Sequence, residues 1–318
     1  MRDIVAGIDV GGTNTKVGIV DRGGACLAET VVKTTDHSEA HDFVKSVDAE
    51  IRRMLAAGKD LQLKGIGIGA PNGNYYRGTI EHAPNLAWKG VVPLADMFRE
   101  FEPAPVALTN DANAAAIGEM LFGGAKGMKD FIVITLGTGV GSGIVVRGEL
   151  LYGHDGFAGE IGHSIFDPNG RECGCGRRGC LETYASAGGI VRTVFDMLAF
   201  SRAPSELRAL SFNDMTSKHV SESALRGDKL ALAAFDRTGY ILGVKLADAV
   251  VHTSPEAIFL FGGLAHAGRL IFEPTKRYME DNMLTIFKNK VKLLPSGLKE
   301  NVAILGAAAL IWKELDKA

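Results

Sequence analysis

The chain predicts an α/β protein in two domains. Short apolar strands alternate with amphipathic helices along its whole length. Two strand–turn–strand units built on Gly/Thr turns, Ile8-Asp-Val-Gly-Gly-Thr and Ile134-Thr-Leu-Gly-Thr-Gly, recur 126 positions apart. A length of 318 residues also exceeds what one hydrophobic core usually serves. Taken alone, the two units fit a pair of unrelated hairpins as well as an internal duplication.

In chain order, residues 4–10 read as a buried strand, Gly11-Gly12-Thr13-Asn14 as its turn, and 16–20 as the returning strand. Asp21-Arg22-Gly23-Gly24 turns the chain into a third strand at 25–32. Phe43, Val47, Ile51 and Leu55 recur at four-residue steps and predict a helix over 38–57. A strand at 65–69 precedes a long irregular segment through Pro84-Asn85-Leu86. A helix at 93–101 and a strand at 106–109 follow, and Asn110-Asp111 stand at the N-cap of a helix over 112–121. Beyond the second Gly/Thr turn come helices at 190–200 and 229–252 and a strand at 257–261 that ends in Gly262-Gly263. A strand at 302–305 and a helix at 306–315 close the chain.

Bulk properties exclude several classes. A net charge of -2 and a pI near 6.5 provide no basic field for nucleic acid or an anionic membrane. No apolar run reaches the roughly eighteen residues of a membrane span, and Met1-Arg2-Asp3 opens no signal peptide. A soluble, cytoplasmic protein without nucleic-acid or membrane partners is expected. Three of the four cysteines cluster, which fits metal binding in a reducing compartment better than disulfides. Cys26 stands apart in a strand and reads as a buried thiol.

The chemistry concentrates in three places. The turns Asp9-Val-Gly-Gly-Thr13 and Gly137-Thr-Gly-Val-Gly141 each expose backbone N–H groups and a threonine hydroxyl, the equipment for cradling phosphates. Asp9, at the end of a buried strand, suits a hydrated Mg2+ on those phosphates, or a cap of its own turn. Asp111 is the candidate general base for an attacking hydroxyl, with Asn110 beside it able to donate and accept; the pair also fits a plain helix cap. The third place is Glu160-Ile-Gly-His163, followed by Cys173-Gly-Cys175 and Cys180-Leu-Glu182. One histidine and three cysteines at that spacing suit a closed tetrahedral Zn2+ site of structural type. Glu160 and Glu182 flank it as a polar site held by the metal loop, and His163 has a second ring nitrogen to offer a substrate oxygen. Gly174-Cys-Gly-Arg-Arg-Gly179 matches G-x-G-x-x-G but lies inside this cluster after no strand, so it is not a dinucleotide fingerprint.

On these residues the chain resembles the ROK family of sugar kinases, in its glucokinase-like branch. The resemblance rests on Asp9-Val-Gly-Gly-Thr-Asn-Thr-Lys16, Ala83-Pro-Asn-Leu-Ala-Trp88, Asn110-Asp-Ala-Asn-Ala114, Leu136-Gly-Thr-Gly-Val-Gly-Ser-Gly143, Gly159-Glu-Ile-Gly-His163, the cysteine run to Glu182, and Gly262-Gly263. It implies the duplicated actin-like/hexokinase (ribonuclease H-like) fold, with domains at 1–110 plus the terminal segment 302–318, and at 111–301. It implies ATP with Mg2+ in a cleft between the domains. Its phosphates would lie over Asp9, Gly11, Gly12, Thr13, Asn14 and Lys16, and over Gly137, Thr138 and Gly139. The adenosine would lie near Gly262 and Gly263. Asp111 would take the proton from the 6-hydroxyl of a hexose, glucose foremost, with N-acetylmannosamine or N-acetylglucosamine next. Asn85, Asn110, Glu160, His163 and Glu182 would bind the other hydroxyls, and His163, Cys173, Cys175 and Cys180 would hold zinc. A homodimer or larger homo-oligomer is implied as well. Residues 72–78, Asn-Gly-Asn-Tyr-Tyr-Arg-Gly, depart from the family pattern near the expected sugar pocket. A sugar-responsive repressor of the family would carry a DNA-binding domain ahead of the first turn, for which eight residues leave no room. An actin-like ATPase would not need the His/Cys cluster.

Overall fold

The apolar run Ile4-Val-Ala-Gly-Ile8 forms the buried centre of β1 (Arg2–Val10). The chain then runs through β2 (Asn14–Asp21), β3 (Cys26–Lys33), α1 (Ala40–Ala57), β4 (Leu61–Ala70), β5 (Gly73–Asn74), β6 (Thr79–Glu81), β7 (Val91–Val92), α2 (Leu94–Phe101), β8 (Val106–Asn110) and α3 (Asp111–Leu121). After these come β9 (Phe131–Leu136), β10 (Val140–Val146), β11 (Glu149–Leu150), α4 (Glu182–Ala185), α5 (Ala187–Phe200), α6 (Ser217–Leu225) and α7 (Lys229–Thr253). The last elements are β12 (Ala257–Phe261), α8 (Arg269–Asn282), β13 (Lys292–Pro295) and α9 (Val302–Leu315). This computed structural model describes residues 1–58, 60–298 and 301–317. The expected domain assignments of residues 59, 299, 300 and 318 lie outside the described residues.

The strands form two five-stranded sheets, ordered β3-β2-β1-β4-β8 and β11-β10-β9-β12-β13, and a small sheet β5-β6-β7. In the first, β1 pairs antiparallel with β2 and parallel with β4, and β4 pairs parallel with β8. In the second, β12 lies parallel to both β9 and β13. A meander of three strands extended by two further strands occurs in each, so the two Gly/Thr turns occupy equivalent places in a duplicated α/β design.

Two compact units make up the chain. The first comprises Met1–Met128, Gly143–Gly159 and Ser296–Ala318, and the second Lys129–Ser142 and Glu160–Pro295. This moves the boundary expected at residue 110, because α3 belongs to the first unit. Small residues explain why: α3 and α9 approach so closely that a Cβ added at Gly306 would stand 2.6 Å from Ala114 O.

In the first unit both sheet faces are covered, which is why its central strands lack polar alternation. Phe43, Val47 and Ile51 of α1 and Leu94 and Phe98 of α2 pack with Ile8, Ile19, Ile66 and Ile68. On the other side Val5 and Val20 meet Ile304, Ala308, Ile311 and Trp312 of α9. The expected strand at 302–305 is therefore the first turn of α9. A four-residue apolar run fits a strand or a buried helix equally, and only its packing decides. The expected irregular stretch after β4 contains the short strands of the small sheet. In the second unit α7 and α8 pack through glycine, with a Cβ at Gly243 falling 2.7 Å from Thr275 O.

Candidate active site

In the first unit the parallel register aligns Asp9 with Gly69 and Gly69 with Thr109, then Ala70 with Asn110. The carboxyl ends of β1, β4 and β8 thus coincide, the edge where open α/β sheets bind ligands. Asp9, the Gly11-Gly12 turn, Asn110 and Asp111 all stand there. Asn110 does cap α3, its Oδ1 accepting from Asn113 N at 2.7 Å. Asp111 opens the helix, its Oδ1 accepting from Ala112 N at 2.8 Å.

These carboxyls share one electrostatic field. Burial, and after it the Asp111 charge, raise the Asp9 carboxyl to about 6 against the opposing pull of Lys16. Asp111 is reached by solvent, yet enough protein surrounds it that burial holds its carboxyl above the ordinary range, against the N–H bonds from Ala112 and its own backbone. Lys16 lies directly across the hairpin from Asp9. Its positive charge lowers the Asp9 carboxyl and so offsets part of this negative charge. Asn85 is brought to the first turn, since a Cβ at Gly12 would stand 2.7 Å from Asn85 O. Thr13 anchors the turn through its carbonyl, which accepts from Thr34 N at 2.9 Å, and Asn14 begins β2.

In the second unit the Gly137-Thr138-Gly139 turn is held from three sides. Gly137 O accepts from Ala187 N at 2.8 Å, Gly141 N donates to Thr135 Oγ1 at 3.1 Å, and Val140 N donates to Glu182 Oε2 at 3.2 Å. A Cβ at Gly139 would lie 2.3 Å from that carboxylate. Gly262 follows the carboxyl end of β12 with φ +103°, and its Cβ would lie 2.7 Å from Leu136 O. Gly262-Gly263 and the 137–139 turn therefore sit at one edge.

The metal-ligand candidates converge. The donor atoms of His163, Cys173, Cys175 and Cys180 all lie within 4.8 Å of one another. Cys175 and Cys180 Sγ are 3.7 Å apart, and Cys173 Sγ is 3.8 Å from His163 Nδ1. A tetrahedron with Zn–S bonds of about 2.3 Å has S···S edges near 3.8 Å, which the Cys175–Cys180 pair matches, so the chemistry and convergence of the donor set suit such an ion. Nδ1 faces the thiols, which assigns Nε2 as the outward nitrogen of His163. Glu182 ties this loop to the Gly137 turn, because its Oε1 accepts from Cys173 Sγ at 3.3 Å while Oε2 holds Val140 N. Gly162 packs on the same strand, where an added Cβ would fall 1.9 Å from Val140 O. Glu160 is exposed, and its carbonyl accepts from His163 N at 3.1 Å.

Sequence reasoning missed Ser142, whose hydroxyl accepts from Ile161 N at 3.1 Å and fixes the glutamate–histidine turn to β10. It also missed the buried Asn74; the only signal was the unusual 72–78 stretch itself.

A sequence profile described as the ROK family matches residues 5–314. The glucokinase of Thermotoga maritima is 34% identical over 313 residues, covering 97% of this chain and 97% of that protein. The structure of a ROK family glucokinase from Streptomyces griseus in complex with glucose and AMPPNP superposes with TM-score 0.79 at 33% identity, over 96% of this chain and 98% of that one. A ROK family transcriptional regulator, homologous to the E. coli MLC protein, gives TM-score 0.88 at 26% identity, over 99% of this chain but 79% of its own. With its duplicated sheets, paired Gly/Thr turns and His/Cys loop, this chain belongs to the ROK family.

Proposed function

We propose that the chain transfers the γ-phosphoryl group of ATP to the 6-hydroxyl of a hexose, with glucose as the preferred acceptor. The enzyme is an ATP-dependent sugar kinase. The observation that carries the residue assignment is the placement of Asp9 and Asp111 at the carboxyl ends of β1 and β8, where burial raises both carboxyls and the Asp111 charge adds to the rise at Asp9. Asp111 takes the proton as the sugar oxygen bonds to the γ-phosphorus and the bridging P–O bond to ADP breaks. A carboxyl above its ordinary range is a better base once ionised, and the neighbouring negative charge favours accepting that proton. Asp9 would hold the Mg2+ that accompanies the nucleotide, and the Lys16 charge favours its ionised form against burial and the Asp111 charge. Glucose specificity is supported by full-length similarity to glucokinases.

Asn85, Asn110, Glu160, Glu182 and the outward Nε2 of His163 would bind the remaining hydroxyls. The two glycine turns would receive phosphates, with Gly262-Gly263 beside the adenosine. His163 Nδ1, Cys173, Cys175 and Cys180 would hold zinc, which supplies a structural cross-link and no open coordination position. Through Glu182, that cross-link stiffens the Gly137 turn.

The test is coupled ATP turnover against glucose, N-acetylglucosamine, N-acetylmannosamine, mannose, allose and fructose. Glucose should give the highest kcat/KM. An N-acetylated sugar at the top would keep the kinase and replace its acceptor. Binding without turnover on any of them would favour a sugar sensor like the family's regulators.

A further inference from the structure

The 72–78 loop is clasped to the 149–157 segment by side chains that phosphoryl transfer does not use. β5 lies against the end of β8, where a Cβ at Gly73 would stand 2.4 Å from Thr109 O. Asn74 is fully buried; its Nδ2 donates to Asp155 O at 2.7 Å, and its Oδ1 accepts from Tyr76 N and Arg77 N at 3.1 and 3.2 Å. Gly156, at φ +92°, presses on this amide, its added Cβ falling 2.8 Å from Asn74 Oδ1. The rings of Tyr75 and Tyr152 stack with centroids 4.1 Å apart and planes 5° from parallel. Tyr76 meets both edge-on at 5.7 and 5.8 Å, and its hydroxyl donates to Gly153 O at 2.9 Å.

The placement of this clasp matters more than its area. Thr109 is followed directly by Asn110 and Asp111, and the 149–157 segment runs through Ala158-Gly159 into Glu160. Tyr76 is 58% exposed, so a large aromatic is spent on a loop–loop contact outside the core. A satisfied buried amide with stacked rings rigidifies such a contact.

We infer that Tyr75, Tyr76 and Tyr152 form a positioning clasp for the sugar: they lock the 72–78 and 149–157 loops into one rim, packed through Gly73 on Thr109, the residue before Asn110-Asp111, and running on in the chain through Ala158-Gly159 to Glu160. This rests on the kinase reading above. The three tyrosines are positioning residues and need touch no substrate. Loss of the stack lets the rim shift, and a displacement of about 1 Å in a positioning element is felt in substrate affinity.

Calorimetric binding of the acceptor sugar and steady-state kinetics test the clasp. Tyr75→Leu should weaken sugar binding and raise the sugar KM about tenfold, while the KM for Mg-ATP and the melting temperature stay near native. Tyr75→Phe keeps the stack and should restore native values. Tyr76→Phe removes one hydroxyl without touching the fold and should raise the sugar KM about threefold. The inference is overturned if Tyr75→Leu and Tyr76→Phe bind sugar as the native protein does. A parallel loss of sugar affinity, ATP affinity and melting temperature would overturn it as well, since that marks a structural role alone. Native protein that binds none of the panel sugars would sink the kinase reading first, and the clasp with it.

Discussion

Asp9 is destabilising by design. Its carboxyl titrates near 6 in the folded protein and near 3.8 when unfolded, so the anion is the disfavoured form in the fold. The stability linked to this group is fully present below the unfolded value and lost as pH rises through about 6. Asp9→Asn should therefore stabilise the protein at pH 8 by about 1–3 kcal/mol, with the gain vanishing near pH 4, as thermal melts at both values would read. The same variant should lose Mg-ATP turnover. A variant less stable at pH 8 would refute the electrostatic account. For Asp111→Asn, kcat should fall at least about a hundredfold while sugar binding is retained in part, because geometry and hydrogen bonding survive and the proton acceptor does not. Near-native kcat would remove Asp111 as the base. Both aspartates are legible in the sequence as carboxylates next to glycine turns or helix starts. Their mutual influence is not, since about a hundred residues separate them and only the register of β1, β4 and β8 brings them to one edge.

At the scale of elements, the His/Cys loop and the Gly137 turn are tied together. Glu182 spans them, and Gly162 admits no side chain against Val140 O. Cys175→Ser should lose bound zinc by elemental analysis and increase proteolytic cleavage within 164–180; retained stoichiometric metal would refute the ligand set. Gly162→Ala should destabilise by about 1–3 kcal/mol through backbone overpacking and lower kcat with it. The Cys3His spacing was readable because metal ligands must be particular residue types, close in sequence. That Glu182 braces the turn was not, because its partner is a backbone N–H with no sequence identity.

The whole molecule depends on α9. Its glycine-lined seat brings the helix backbone onto β1 and β4, so that a Cβ at Gly67 would stand 1.8 Å from Ala307 O and one at Gly7 2.3 Å from Ile304 O. Trp312, 2% exposed, closes this layer, and its Nε1 donates to Asp21 O at 3.2 Å. Trp312→Ala should cost about 3–5 kcal/mol in chemical denaturation, while Gly67→Ala should cost about 3 kcal/mol by forcing the helix off the sheet. A neutral Gly67→Ala would mean the close seat is not required. Residues 302–305 fit a strand only as an isolated apolar run; packed on β1 they are helical. A domain boundary before α3 fails for the same reason, since Ala114 and Gly118 look like unremarkable small residues until Gly306 is packed on them.

By itself the sequence determined the α/β class, the two Gly/Thr turns, the carboxylates at strand ends and the His/Cys donor set. Each is a local matter of periodicity, turn chemistry or ligand type over a few residues. The tertiary structure alone decided that α3 and α9 share a unit, that Lys16 faces Asp9, that Nδ1 of His163 faces the thiols, and that three tyrosines clasp two distant loops. Those follow from which backbones approach closely, and close approach is written in glycines and small residues whose partners lie tens to hundreds of positions away.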